Sequence, residues 1–249
     1  GAGAGAEWVR GGWRGGGAGG GLVLLHWSEC GPGVRGVRCS ARGGVTPCGT
    51  AADPRGRPVP ASILMVDTGG RRTAYIESAK ACGLHLLAEG ERNPMVTSTY
   101  GVGQLIEAAL AEGATRVVVG LGGSGTNDGG AGMLAALGAG DPEALAVGGA
   151  KLGDLAADAL HGLATVRERL HARELVLATD VDSPLLGFHG ASAVFAPQKG
   201  ATPEMAQQLE SALGHFSGVV RKVVPSGLDL LAGTGMRLDR EPGAGAAGG

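Results

Sequence analysis

The stretch that most constrains this chain runs from Arg116 to Ala139, RVVVGLGGSGTNDGGAGMLAALGA. Val117, Val118 and Val119 form a β-branched apolar run, which fits a short buried strand. Gly120, Gly122, Gly123 and Gly125 follow, interleaved with Ser124, Thr126, Asn127 and Asp128. After Gly129 and Gly130 an alanine- and leucine-rich run reads as a helix that stops near Gly138. A strand, a polar glycine-rich loop and a helix, in that order, turn backbone N–H groups and a helix N-terminus toward an anion. Ser124, Thr126 and Asn127 offer side-chain hydrogen bonds. Asp128 offers a carboxylate that could take a proton or meet a metal.

The loop is not a P-loop, because no Gly-Lys-Ser/Thr follows. Gly120-Leu-Gly-Gly-Ser-Gly125 does satisfy G-x-G-x-x-G. A dinucleotide site also requires an acidic residue closing a second strand about 20 residues on. That distance falls between Asp141 and Gly149, an Ala/Gly-rich segment that does not read as a strand. A dinucleotide-dependent oxidoreductase therefore ranks last. The plainest alternative is a tight turn with a helix cap.

A chain of 249 residues is one large domain or two small ones. Its net charge of −2 gives no reason to expect nucleic acid or an anionic membrane as partner. Aromatics are 3% of the chain, so any core must be built from Val, Leu, Ala and Ile. No apolar run approaches the roughly 20 residues of a membrane span, and no signal peptide is legible. Cys30, Cys39 and Cys48 are too far apart for the short paired spacing of a zinc site. Cys82 lies on an apolar helix face and reads as a buried thiol. The expected setting is reducing and cytoplasmic.

Residues 1–52 are rich in Gly, Ala and Arg and, apart from Leu22–Leu25, lack periodicity. Irregular or disordered chain is expected there. Ala61–Asp67 and Thr73–Glu77 read as strands joined at Thr68-Gly-Gly70, a hairpin signal. Ser78 is placed to cap a short helix through Leu87. Thr97, Ser98 and Thr99 are candidate caps for a helix over Gln104–Ala111 that ends at Gly113. Glu174–Asp180 reads as another strand. Asp180 and Asp182, two apart at its C-terminal end, point the same way and suit Mg²⁺ or a hydroxyl-bearing substrate. A turn before Pro184 is the competing explanation for them. Ala191–Phe195 reads as a short strand. Thr202 and Pro203 open a helix as N-cap and first residue, running to about Val220 with Met205, Leu209, Ala212, Leu213 and Phe216 on one face. Lys199, just before that helix, occupies a good phosphate position.

Three blocks carry a resemblance. GLGGSGTNDGGAGMLAALGA resembles the signature of the bacterial glycerate kinase family (type I). ERNPMVTSTYGVGQLI (Glu91–Ile106) and ATDVDSPLLGFHGASAVFAPQKGATPEM (Ala178–Met205) resemble the same family in the expected order. The resemblance covers roughly Pro54 to Val220. The blocks that the family carries near its N-terminus do not appear in residues 1–52, so the chain reads as a truncated member with an aberrant N-terminus. The implied fold is α/β: the inserted domain of a two-domain glycerate kinase-like fold, with the flanking domain largely missing. The corresponding division is 1–52 low-complexity, 53–222 glycerate kinase-like, and 223–249 a truncated C-terminal segment.

The resemblance implies transfer of the γ-phosphoryl of ATP to a hydroxyl of D-glycerate, with Mg²⁺. It implies catalytic roles for Asp128, Asp180 and Lys199, with Asp182 at the metal. It implies substrate or phosphate contacts from Gly122, Gly123, Ser124, Thr126, Asn127, Thr99 and Glu77. The alternative is a catalytically inactive fragment of the same family.

Overall fold

The computed structural model describes residues 23–26, 43–224 and 242–248. Six strands form one sheet: β1 (Val23–His26), β2 (Gly43–Ala52), β3 (Pro58–Thr68), β4 (Arg71–Glu77), β5 (Arg116–Gly120) and β6 (Glu174–Thr179). Their order across the sheet is β1-β6-β5-β4-β3-β2. β1, β6, β5 and β4 run parallel, while β3 and β2 are added antiparallel at one side. Seven helices accompany them among the described residues: α1 (Ala79–Cys82), α2 (Tyr100–Ala111), α3 (Ala131–Ala136), α4 (Pro142–Leu145), α5 (Leu163–Leu170), α6 (Ala191–Phe195) and α7 (Pro203–Val223). The chain is α/β, as its sequence leads one to expect.

The β3–β4 hairpin forms where the glycine pair stands. Thr68 pairs with Arg71, leaving Gly69 and Gly70 as a two-residue loop with φ of 59° and 79°. Positive φ at both central residues matches the turn to the strands' twist. The β2–β3 connection is fixed by a buried carboxylate. Asp53 Oδ1 accepts from the backbone N–H groups of Arg55 at 2.8 Å and Arg57 at 2.9 Å, and Oδ2 accepts from Arg57 Nε at 2.6 Å.

The main core lies on one face of the sheet. Val117 and Val119 point into it with Ile63, Ile76, Leu105, Ile106 and Leu213. Val118 points to the opposite face, beside Val176 and Ala178. This alternation is the period-2 geometry of a strand, and an all-valine run serves both faces. α7 begins as its sequence dictates: Thr202 Oγ1 accepts from Met205 N at 3.2 Å and Pro203 is the first helical residue. Ala206, Leu209, Ala212, Leu213, Phe216 and Val219 form its buried stripe, with Met205 at the margin.

Several expectations are corrected. Ala191–Phe195 is the helix α6 and not a strand. A five-residue apolar run fits either element, and here its small residues Ala191 and Ser192 pack inside. The helix expected from Ser78 to Leu87 stops at Cys82. Gly83 turns extended (φ −68°, ψ 142°) and bridges Ser124, and the chain continues as a single 3-10 turn at Leu84–Leu86. Residues 23–26 and 43–52, expected to be irregular, are strands, because partners in β6 and β3 supply the ladder that their composition does not advertise. Cys30, Cys39 and residues 225–241 of the tail lie outside the described residues.

Candidate active site

β4, β5 and β6 end level with one another: Glu77 pairs with Gly120, and Gly120 pairs with Ala178. In open α/β sheets this carboxyl edge is where ligands sit. Three segments leave it together: Glu77-Ser78 into α1, Leu121–Gly130 into α3, and Thr179–Asp182 into the loop before α6. Backbone bonds tie them, with Ser78 N donating to Gly120 O at 3.0 Å and Leu121 N to Ala178 O at 2.7 Å.

The glycine-rich loop divides into an open part and an enclosed part. Gly122 is half-buried and Gly123 exposed. The N–H groups of Gly122, Gly123 and Ser124 donate to no acceptor among the described residues. From Ser124 to Asp128 the chain is buried. That part is held from several sides. Gly125 N donates to Cys82 O at 2.7 Å, and Leu84 N to Gly123 O at 2.8 Å. Thr97 Oγ1 donates to Gly125 O at 2.8 Å. Asn127 Nδ2 donates to Ser192 Oγ at 3.1 Å. Cys82 is buried against Ser78 and Thr126, and burial pushes its thiol up to about 11, so it stays protonated and unreactive near neutral pH.

Asp128 has no exposed surface. Its Oδ2 accepts from Thr99 N (2.8 Å), Thr99 Oγ1 (2.9 Å) and Gly132 N (3.2 Å), and its Oδ1 from Gly130 N at 3.4 Å. Burial raises its pKa, and these donors offset only part of that rise. The carboxylate therefore serves the start of α3 and the start of α2 at once. Thr99 completes the joint, since its hydroxyl also accepts from Met133 N at 3.0 Å. Lys199 is also without exposed surface. Its Nζ donates to Ser124 Oγ at 2.9 Å, Thr126 O at 2.6 Å and Ala247 O at 2.6 Å. Burial lowers its pKa to about 8.

The residues singled out from the sequence thus fall into two groups. Glu77, Gly122, Gly123, Asp180 and Asp182 lie at the open edge. Thr99, Ser124, Thr126, Asn127, Asp128 and Lys199 are enclosed behind it. The roles expected of Asp128 as proton acceptor and Lys199 as phosphate neutraliser meet enclosed side chains, with all three Lys199 N–H groups and Asp128 Oδ2 engaged by their own chain. Glu77 differs. Its Oε2 is buried and hydrogen-bonds to nothing among the described residues, with Lys80 Nζ 3.9 Å away. A carboxylate oxygen left in that state is costly unless a ligand completes it. Lys80 is not among the residues singled out from the sequence, and Thr97 is named there only as a candidate helix cap. The spacing of Lys80, three after Glu77 across a strand-to-helix junction, is the signal that points to it.

Asp180 is half-buried and Asp182 exposed, and both make further interactions. Among the described residues no group of three or more His, Cys, Asp and Glu is placed to hold a metal by itself. Magnesium does not require one: it commonly takes one or two carboxylates together with phosphate oxygens and water. The Glu77 oxygen without a hydrogen bond and the aspartates beyond β6 fit that donor set.

An α/β sheet with a glycine-rich loop and carboxylates along its carboxyl edge defines the class: an open α/β protein whose candidate site lies at the carboxyl ends of its parallel strands. The comparisons narrow it. The family model described as "Glycerate kinase family" matches residues 2–249. The chain belongs to the glycerate kinase family. The match extends past the 54–220 stretch legible from motifs and includes the N-terminal segment read as aberrant. The chain is 44% identical over 200 residues to a glycerate kinase from Bacillus subtilis (strain 168), covering 79% of this chain and 48% of that protein. It is 41% identical over 186 residues to a glycerate 2-kinase from Escherichia coli (strain K12), covering 73% of this chain and 45% of that one. A crystal structure from Salmonella typhimurium LT2 described as a glycerate kinase 2 aligns with a TM-score of 0.71 at 36% identity, covering 88% of this chain and 56% of that chain. The chain spans about half the length of the curated relatives it matches. No helix among the described residues is long and apolar enough to cross a membrane.

Proposed function

We propose that this chain transfers the γ-phosphoryl group of ATP to a hydroxyl of D-glycerate, in the cytoplasm. The observation that carries this reading is the row of N–H groups at Gly122, Gly123 and Ser124 that meet no acceptor among the described residues, set level with Glu77 and the start of the Asp180–Asp182 loop. Phosphoryl transfer asks a protein mainly for positioning and charge stabilisation. Backbone donors that need no reorganisation supply this for a phosphate or for the glycerate carboxylate.

Glu77 and Asp182 would hold Mg²⁺, which when bound neutralises phosphate charge and orients the transferring group. Asp180 accepts the proton of the attacking hydroxyl. Lys80, beside Glu77, adds a cation at the same edge. Asp128 and Thr99 act one step back, fixing the direction in which the loop presents its donors, and Thr126 and Asn127 anchor its buried end. This reassigns Asp128 from proton acceptor to scaffold on the strength of its burial and its four donors.

The test is an ADP-release assay on the folded chain with ATP, Mg²⁺ and D-glycerate. ADP formation that depends on glycerate is the expected result. A folded sample that releases no ADP above the glycerate-free rate contradicts the proposal.

A further inference from the structure

Lys199 is the largest fully buried side chain among the described residues. A buried ammonium is normally paired with a carboxylate. Lys199 forms no ion pair among the described residues, and its three acceptors are the hydroxyl of Ser124 and the carbonyls of Thr126 and Ala247. Two of these belong to the glycine-rich loop, and the third belongs to a turn near the far end of the chain.

That turn, residues 242–248, is held in an unfavourable backbone state. Ala246 and Ala247 have φ of 38° and 60°, values that L-residues with a side chain seldom adopt. Besides packing against α6, hydrogen bonds hold the turn in place: Gly129 N donates to Gly248 O at 3.0 Å, Gly245 N to Ser183 O at 3.0 Å, and Lys199 Nζ to Ala247 O. Gly248 lies directly over the loop, where a Cβ would come within 2.5 Å of Asn127 Oδ1. One side of the glycine-rich loop is therefore covered by α1 and the 83–87 segment, and another by this turn.

We propose that Lys199 is a positioning residue that clasps the 242–248 turn to the glycine-rich loop and so fixes the direction of the Gly122–Ser124 N–H groups, a role that rests on the phosphoryl-transfer reading above. Two of its N–H groups are committed to carbonyls, and the remaining position faces Ser124 Oγ. The ammonium donates to all three. The neutral amine still donates to both carbonyls and accepts the Ser124 hydroxyl proton in a hydrogen bond. The ionisable groups acting on it are Cys82 from α1 and Asp128 from the loop, both of which favour the charged form, while burial favours the neutral one. The clasp thus requires an amine at this point, in either protonation state.

The test uses the whole chain with Lys199→Ala and Lys199→Met, hydrogen exchange and the ADP-release assay. In the unsubstituted chain the amides of Gly129, Gly245 and Gly248 exchange slowly and together. In either variant they exchange at least tenfold faster, and kcat falls at least tenfold with the KM for glycerate little changed. Adding n-propylamine, which matches the three methylenes and amine that Lys199→Ala removes, restores both at pH 7 and at pH 9; addition to Lys199→Met restores neither, because the methionine occupies the space of the lysine stem. Rapid exchange at Gly129, Gly245 and Gly248 in the unsubstituted chain overturns the proposal without any variant. So does a folded Lys199→Ala with unchanged exchange, or one that n-propylamine fails to rescue. Exchange as described in a chain without glycerate-dependent turnover would leave the clasp standing and remove the phosphoryl-transfer reading alone.

Discussion

Thr99 gives Asp128 two hydrogen bonds, one from its backbone N–H at 2.8 Å and one from its hydroxyl at 2.9 Å, both to Oδ2. The pair joins the first turn of α2 to the first turn of α3. It also explains why an aspartate in a signature loop need not touch a substrate. The start of each helix leaves backbone N–H groups without intrahelical acceptors, and a carboxylate between two helix starts serves both.

This geometry separates two substitutions. Asparagine at 128 can keep its oxygen at the Oδ2 position and retain three of the four donors, losing only the longest contact. Asp128→Asn should cost about 1 kcal/mol or less and leave turnover within a few-fold of wild type. Asp128→Ala leaves several buried donors without an acceptor and should cost roughly 3 kcal/mol or more. Urea unfolding of both variants, beside the ADP-release assay, checks this. A Asp128→Asn chain that folds normally but turns over orders of magnitude more slowly would return the carboxylate to the chemistry.

Lys199 imposes a pH dependence on stability whose sign follows from its shift. Its pKa in the fold is about 8 against an ordinary 10.5. Between those values the unfolded chain holds a proton that the folded chain has released, so stability rises as pH increases through this window. The gain approaches about 3 kcal/mol by pH 10.5 and is absent below pH 8. Because other groups titrate in this range, the measurement is a difference: unfolding free energy of the unsubstituted chain minus that of Lys199→Met, followed from pH 7 to pH 10.5. A flat difference contradicts the assignment.

Gly103 tests the packing behind the site. Replacing a mid-helix glycine by alanine ordinarily stabilises by about 1 kcal/mol. Here a Cβ would lie 2.5 Å from Met133 O and 2.6 Å from Ala136 Cβ, because α2 and α3 approach at this residue. Gly103→Ala should instead destabilise by ~1–3 kcal/mol, read as a lowered Tm. It should also slow turnover, since moving α3 moves the Thr99–Asp128 joint.

Much of the sheet was legible because its strands announce themselves. The Val117–Val119 run, the Gly69-Gly70 hairpin and the Thr202-Pro203 helix start all carry local chemistry that only one conformation satisfies well. β2 carries none: its pairing with β3 decides it, and pairing is not local. α6 is hidden from a local reading for the same reason, since Ala191–Phe195 suits a strand or a helix equally. At the candidate site, motif spacing singled out residues that the fold gathers at one end of the sheet, but not which of them are enclosed. Asp128 and Lys199 are charged residues in a polar loop context, which argues for exposure, yet both are enclosed. The donors that enclose Asp128 come from Thr99, Gly130 and Gly132, and the acceptor that completes Lys199 comes from Ala247, far along the chain. The partners of Lys199 could not be paired from sequence.

The measurement that bears most directly on this account compares Glu77→Gln with Asp128→Asn in one glycerate-dependent ADP-release assay, with the Tm of each recorded. The chemistry is expected at the open edge, where Glu77 Oε2 is buried with no hydrogen bond among the described residues and only the Lys80 ammonium 3.9 Å away. The expected result is that Glu77→Gln keeps its Tm and loses turnover by orders of magnitude, while Asp128→Asn stays within a few-fold of wild type. Normal turnover in Glu77→Gln together with a dead but folded Asp128→Asn would contradict it.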